Sequence, residues 1–121
     1  MAIGSKRLVV GAHYGLRDWL AQRLTAIILA AYTFFFAAYL IFIRAGGALG
    51  YDEWAGMFAP TWMKILTFIA ILALLYHAWI GMRDVWMDYV RPTGMRLGLL
   101  LLTIVWLAYC AIYAAQTLWS V

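Results

Sequence analysis

One ionisable side chain lies inside a long apolar run: His77, within Ile65 to Met82 (ILTFIAILALLYHAWIGM). A polar group in hydrocarbon costs several kcal/mol unless something satisfies it, so such a residue marks either function or a specific interhelical bond. At 100° per residue, Ala70, Ala73, His77, Gly81, Asp84 and Asp88 fall within about 40° of one line along a helix. Small residues around a histidine allow close helix packing, or they leave room for a flat macrocycle whose iron the imidazole ligates. Packing alone accounts for the alanines and the glycine but not for the imidazole, and the combination favours a haem ligand. A six-coordinate b-type haem needs two axial ligands. No other histidine lies within an apolar run, so the second ligand must come from another protein chain or another copy. His13 is a poor candidate, because it sits in a polar, glycine-containing segment ahead of the first run. A proton-relay role for His77 is disfavoured, since no acidic residue lies deeper in any run to pass a proton across.

A second cluster follows at once. The stretch Arg83 to Pro92 (RDVWMDYVRP) places four charges beside Trp86 and Tyr89. Such a segment suits an ordinary anchor at the headgroup level. It also suits an amphiphilic ligand: a tyrosine hydroxyl can donate to a quinone carbonyl, and a neighbouring carboxylate such as Asp88 can hold an arginine or relay protons during reduction. Tyr89 is rotated about 120° from His77 around the helix, so the two need not touch the same ligand. Arg17 and Arg23, just ahead of the first apolar run, have the planar fork that pairs with haem propionates, although residue type alone explains them equally well as charges that orient a membrane span.

The elements that must position these residues are set by composition. Of 121 residues, 68% are hydrophobic and 12% charged, and the mean hydropathy is +0.89. Soluble domains carry about 45 to 50% apolar and about 25% charged residues, so this is a membrane protein with no nucleic-acid-binding character. The expected fold is all-α: an integral membrane three-helix bundle forming a single domain over residues 1–121, with spans at about 24–43, 65–88 and 97–119. The first apolar run, Leu24 to Ile43, holds 20 uncharged residues, enough to cross a hydrocarbon core of about 30 Å. It is too long for the apolar part of a signal peptide and reads as an uncleaved first helix. The connection from Arg44 to Pro60 reads as a loop with one short amphipathic turn carrying Trp54, Met57 and Phe58.

Basic residues collect on the cytoplasmic side of membrane spans. Of the nine here, seven (Lys6, Arg7, Arg17, Arg23, Arg83, Arg91 and Arg96) flank the start of span one or join spans two and three, leaving Arg44 and Lys64 on the other side. This distribution predicts a cytoplasmic N-terminus and a periplasmic C-terminus, as three spans require. The net charge of +4 then reports topology and needs no anionic macromolecule. Cys110 is alone inside span three, which excludes an internal disulfide, and no Cys-x-x-Cys-His motif is present for covalent haem attachment.

Read in order, these residues resemble the family of hydrophobic membrane anchors of succinate dehydrogenase, the succinate:ubiquinone oxidoreductase or complex II. The match is carried by His77-Ala-Trp-Ile-Gly-Met82, by Asp88-Tyr89-Val-Arg-Pro92 at that family's spacing, and by Arg23-Leu-Thr-Ala-Ile27 at the head of span one. The resemblance implies a multi-pass protein of the bacterial inner membrane in a complex with a second membrane anchor, an iron-sulfur protein and a flavoprotein. It implies His77 as an axial ligand of haem b, the opposite ligand coming from the second anchor, and Arg23 and Arg17 as propionate partners. It implies Tyr89 as a hydrogen-bond donor to ubiquinone, with Asp88 supporting that site, and no succinate chemistry on this chain. Fumarate reductase anchors that use menaquinone form the neighbouring alternative; a small transporter or a purely structural helix bundle forms the distant one. Members often carry a histidine shortly before the arginine that opens span one, whereas this chain has Arg17-Asp18 there and places His13 further upstream.

Overall fold

The computed structural model describes the backbone of residues 2–44 and 47–121 and the side chains of residues 15–43 and 47–121. The expectations placed on Lys6, Arg7, His13, Arg44 and Gly46 lie outside the described residues or side chains. Four helices follow in chain order: α1 (Ala2–Arg44), α2 (Tyr51–Phe58), α3 (Thr61–Tyr89) and α4 (Thr93–Trp119). α1, α3 and α4 are each long and apolar enough to cross a membrane, and α1 does so from Gly15 to Ile43.

Helix boundaries depart from the apolar runs at their starts. α3 begins at Thr61 rather than Ile65 and α4 at Thr93 rather than Leu97, because the extended residues Pro60 and Pro92 set each start. Proline presents no N–H and fixes φ, so the chain turns there whether or not Lys64 and Arg96 interrupt the apolar pattern. The apolar portion of α1 likewise begins well before Leu24, since Arg17, Asp18 and Arg23 break the hydropathy of the run without breaking the helix. The short amphipathic turn in the loop is α2. Its first N–H groups are served locally: Gly50 N–H donates to the Glu53 carboxylate at 3.0 Å, and Asp52 and Glu53 lie in the first turn, where negative charge complements the helix dipole.

α1 and α4 both pack on α3, which thereby becomes the central element, and α2 also rests on α3. α3 contributes Met63, Thr67, Ala70, Ala73 and Ile80 to the buried core, while Leu118 comes from α4 and Met57 from α2. Large apolar side chains such as Phe34, Phe42, Leu101 and Leu102 are exposed, as expected where the surroundings are lipid or a partner rather than water.

A seven-residue rhythm on α1 joins it antiparallel to α3. Asp18 pairs with Arg83; Thr25 bonds His77 at 3.0 Å; Tyr32 bonds Thr67 at 2.8 Å; the Tyr39 ring meets the Trp62 ring at 6.2 Å between centroids. Each step of seven returns to the same side of the helix, so these four residues form one seam. On the other side of α3, Trp86 Nε1 donates to Thr103 Oγ1 at 3.0 Å, and Phe68 packs edge-on against Trp119 at 5.6 Å. The buried polar residues among those described are Thr25, Thr67 and Thr103. Each sits at one of these interhelical bonds.

A double-mutant cycle with Tyr32→Phe and Thr67→Val, read as unfolding free energy of the detergent-solubilised protein, should give a coupling of about 0.6 kcal/mol and no more than about 1.7 kcal/mol, the range for hydrogen bonds between membrane helices.

Candidate functional site

His77 is half-buried on the α1 side of α3. Its Nδ1 lies 3.0 Å from Thr25 Oγ1. That hydroxyl also donates back along its own helix, to the Ala21 carbonyl at 2.7 Å with the Gln22 carbonyl at 3.1 Å. Back-bonding of this kind is how a threonine satisfies itself inside an apolar helix while keeping lone pairs for a neighbour. His77 Nε2 makes no hydrogen bond to any described residue and is not sealed inside the chain; Gln22 Oε1 is the buried side-chain polar atom left without a partner among the described residues.

The small residues around His77 divide between the two roles open to them. Ala70 and Ala73 are buried within this chain's own packing, and Ala70 lines a cleft against Ile28, Ala31 and Tyr32 of α1, so they serve helix approach. Gly81 is different. A β-carbon built there would sit 3.9 Å from Gln22 Nε2, an ordinary contact, so close approach does not demand a glycine at this point.

About one helical turn from Thr25 and His77 toward the polar end, Gly15, Asp18, Trp19, Gln22 and Arg23 of α1 and Ile80 and Asp84 of α3 line a cavity of about 420 Å³. Arg23 lies over the Trp19 ring, 5.5 Å from its centroid, so its charge is held at the rim by a cation–π contact. Asp18 is already engaged by Arg83. The cavity thus offers one guanidinium, one amide whose oxygen is unpaired among the described residues, and the carboxylate of Asp84. Amide oxygen and nitrogen positions are interchangeable by rotation, so Gln22 can present either an acceptor or a donor here. Arg17 is exposed and does not line this cavity.

Tyr89 and Asp88 occupy the last turn of α3 and are exposed, Tyr89 at 80%. Twelve residues separate Tyr89 from His77, about 18 Å along the axis, so the structure does not bring the two together. It does build a rigid corner beneath them. Val90 N–H donates to the Trp86 carbonyl at 3.1 Å, Arg96 Nε donates to the Val90 carbonyl at 3.0 Å, and Trp86 is tied to Thr103. Val90 itself is extended, with φ −99° and ψ 110°, and ends the helix just short of Pro92.

Four of these positions gain their roles only from the structure. Gln22 has none in the sequence, Thr25 counts there only within the Arg23-Leu-Thr-Ala-Ile27 match, and Arg83 and Arg96 count there only as charges that set topology. The spacing Asp18, Thr25, Tyr32 and Tyr39 is the signal that marks Thr25, because polar or amphipathic residues seven apart in an apolar helix define a face meant for another helix. No comparable signal marks Gln22, whose interest comes from being left unpaired.

Comparison with known proteins gives a consistent result. The family described as Succinate dehydrogenase/Fumarate reductase transmembrane subunit matches residues 2–115 of this chain. The chain is 36% identical over 105 residues to the Succinate dehydrogenase hydrophobic membrane anchor subunit of Coxiella burnetii, covering 87% of this chain and 89% of that protein. It is 30% identical over 88 residues to the protein of the same name from Rickettsia prowazekii, covering 73% of this chain and 68% of that one.

Arg96→Ala removes the cap on the Val90 carbonyl without touching Asp88 or Tyr89. Hydrogen exchange of the peptide spanning residues 87–95 should quicken by roughly tenfold, the equivalent of losing about 1.4 kcal/mol of a charge-assisted bond; an unchanged exchange rate means the cap does not hold the corner.

Proposed function

The chain belongs to the Succinate dehydrogenase/Fumarate reductase transmembrane subunit family, and from that premise we propose that it holds one face of a haem b through His77 and forms part of a ubiquinone-reduction site through Tyr89 and Asp88. It is a multi-pass inner-membrane protein and a membrane component of a succinate dehydrogenase complex. The observation that carries the haem reading is the state of His77: one ring nitrogen is engaged by Thr25 across the α1–α3 seam, and the other is left without a partner among the described residues. A ligating histidine uses one nitrogen for the metal and gives the other N–H to a neighbouring acceptor, and the pairing with Thr25 fits that pattern.

The surroundings fit the group. A haem brings two carboxylate side arms as well as iron, and the cavity one turn from His77 supplies Arg23 and the Gln22 amide to receive one of them, on the side of the lining away from the like-charged Asp84. Arg23 is therefore the better propionate partner of the two arginines, and Arg17, outside that cavity, the weaker one. When bound, haem b supplies a one-electron centre within the anchor. His77 ligates and orients; Thr25 and the packing of Ala70 and Ala73 hold the imidazole in place. This chain has no other histidine in an apolar run, so any further protein ligand to the haem would come from another chain, which the family resemblance makes the second membrane anchor of the complex.

At the polar end of α3, the Tyr89 hydroxyl is exposed and mounted on a fixed corner, where it can donate to one carbonyl oxygen of ubiquinone. Asp88 beside it can pass protons from water to the reduced oxygens. Reduction of the quinone to the quinol consumes two electrons, delivered from succinate through the flavoprotein and the iron-sulfur protein, and two protons taken from the aqueous side. Those soluble partners dock on the face that carries this site. Asp18 and Arg83 pair at one end of the bundle, which brings the start of the first span and the end of α3 to the same side, and the excess of basic residues makes that side cytoplasmic. The names of the relatives favour succinate oxidation over the fumarate-reducing direction with menaquinone.

Three measurements test this reading. The purified complex should show reduced b-type haem bands that His77→Ala abolishes; bands that persist unchanged in that variant remove His77 as ligand. Tyr89→Phe should lower quinone reduction by roughly tenfold or more while succinate oxidation by an artificial soluble acceptor stays near wild type; equal loss of both activities points to assembly instead. An impermeant label applied from the periplasmic side should miss a tag fused ahead of Met1 and react with one fused after Val121.

A further inference from the structure

Thr25 holds His77 by a bond whose polarity follows from the groups around it, and we infer that Thr25 is the positioning residue that sets the tautomer of His77, its aim and the donor strength of its free nitrogen. The inference rests on the haem reading above. A threonine hydroxyl has one proton and two lone pairs. Around Thr25 Oγ1 lie two carbonyl oxygens that can only accept, Ala21 at 2.7 Å and Gln22 at 3.1 Å, and His77 Nδ1 at 3.0 Å. With the hydroxyl proton directed at the carbonyls, the bond to His77 forms only if Nδ1 carries the hydrogen.

The same fold contains an internal reference for this geometry. Thr103 Oγ1 lies 2.8 Å from the Leu99 carbonyl four residues back and 3.0 Å from Trp86 Nε1. An indole nitrogen donates and never accepts, so there the hydroxyl must accept from α3 and give its own proton to the carbonyl. Thr25 repeats those separations within about 0.1 Å, one flank of α3 mirroring the other. The consequence differs because imidazole has a second nitrogen. A hydrogen at Nδ1 leaves Nε2 with its lone pair in the ring plane, turned away from the partner that anchors the ring.

Donation from Nδ1–H also pushes electron density toward Nε2 and makes it the stronger donor to a metal. A stronger donor would favour the ferric over the ferrous state, so the Thr25 bond would lower the midpoint potential and its loss would raise it. The experiment uses the whole complex carrying Thr25→Val, which keeps the shape and removes the acceptor, Thr25→Ser, which restores it, and Thr103→Val, which deletes the equivalent hydroxyl on the far flank of α3. Redox titration of the b-type bands and the low-temperature electron paramagnetic resonance spectrum of the ferric haem are the readouts, with haem content per complex measured alongside.

Thr25→Val should lose roughly tenfold in the ratio of ferric to ferrous affinity, an upward shift of about 59 mV, with an altered ferric spectrum. Thr25→Ser and Thr103→Val should stay at the wild-type potential. If Thr25→Val does not assemble, Thr25→Ala carries the same expectation with no added bulk. Wild-type potential and spectrum in the valine or alanine variant overturn the inference while leaving the haem reading intact, as does an equal shift in Thr103→Val, which would make the effect one of packing. Absence of b-type bands from the wild-type complex overturns the haem reading and this inference with it.

Discussion

Every polar side chain carried into the hydrocarbon must find its partner within the protein, and the rest of this structure depends on how that requirement is met. Lipid tails are as apolar as leucine, so burying leucine against leucine gives helices little reason to associate. What distinguishes one arrangement of three helices from another is then the set of polar bonds and the small residues that permit close approach. α3 is the element through which those bonds pass. Its His77, Thr67 and Arg83 meet α1, and its Trp86 meets α4. The ion pair between Asp18 and Arg83 is partly exposed, at 41% and 30% of the respective side chains, and belongs to the class of surface pairs worth about 0 to 1 kcal/mol. It contributes more to register than to stability; the threonine bonds within the span lie where water cannot compete.

The same bonds place the chemistry. A histidine on a bare helix would rotate about χ1 and χ2 and could offer either nitrogen to a ligand. Docked on Thr25, it has one nitrogen engaged and the other without a hydrogen bond to any described residue, and one turn further along the seam lies a cavity lined by Arg23, Gln22 and Asp84. At the far end of α3 a separate set of bonds holds Tyr89, through the Arg96 cap and the Trp86–Thr103 tie. The imidazole and the tyrosine belong to two stations on one helix, about 18 Å apart by helical rise. A rigid α3 fixes that separation, and the helices on either side keep α3 rigid. The proposed function gives a reason for two stations on one chain: an anchor that fastens soluble partners to the bilayer would also offer a place where their electrons meet a lipid-soluble acceptor.

The fold is legible in the sequence because its signals are coarse. Apolar runs of membrane length have no other solution than spanning helices, so the three helices and the short α2 can be read from hydropathy alone. Helix starts are less legible, since charge counting stops at Lys64, Arg96 and Arg23, whereas the backbone stops at Pro60 and Pro92 and, for α1, does not stop there at all. His77, Asp88 and Tyr89 stand out because an imidazole in a span and a tyrosine-carboxylate pair at its end are rare enough to demand a reason. Thr25 is marked more faintly, by its seven-residue spacing from Asp18 and Tyr32 and its place in Arg23-Leu-Thr-Ala-Ile27, and neither signal names the residue it touches 52 positions away. Gln22 and Arg96 are hidden for the same reason: their meaning is relational, and a single sequence gives only neighbours along the chain.

Thr25 and Thr103 show how little separates a structural bond from a functional one. Both lie in outer helices, both hydroxyls reach the carbonyl four residues back, and both lie 3.0 Å from a ring nitrogen of α3. Seen from the threonine, the two sites are equivalent, and each should contribute a similar fraction of a kcal/mol to helix association. The difference lies across the bond. Indole has no second nitrogen, so at Trp86 the interaction ends in packing and fixes only the corner below Tyr89. Imidazole has one, so under the proposed haem reading the same interaction at His77 would set which atom is left over and how strongly that atom donates. A ligand site of this kind requires no residue beyond those already needed to hold three helices together; it requires that one of the helix-joining donors be a ring with a second nitrogen.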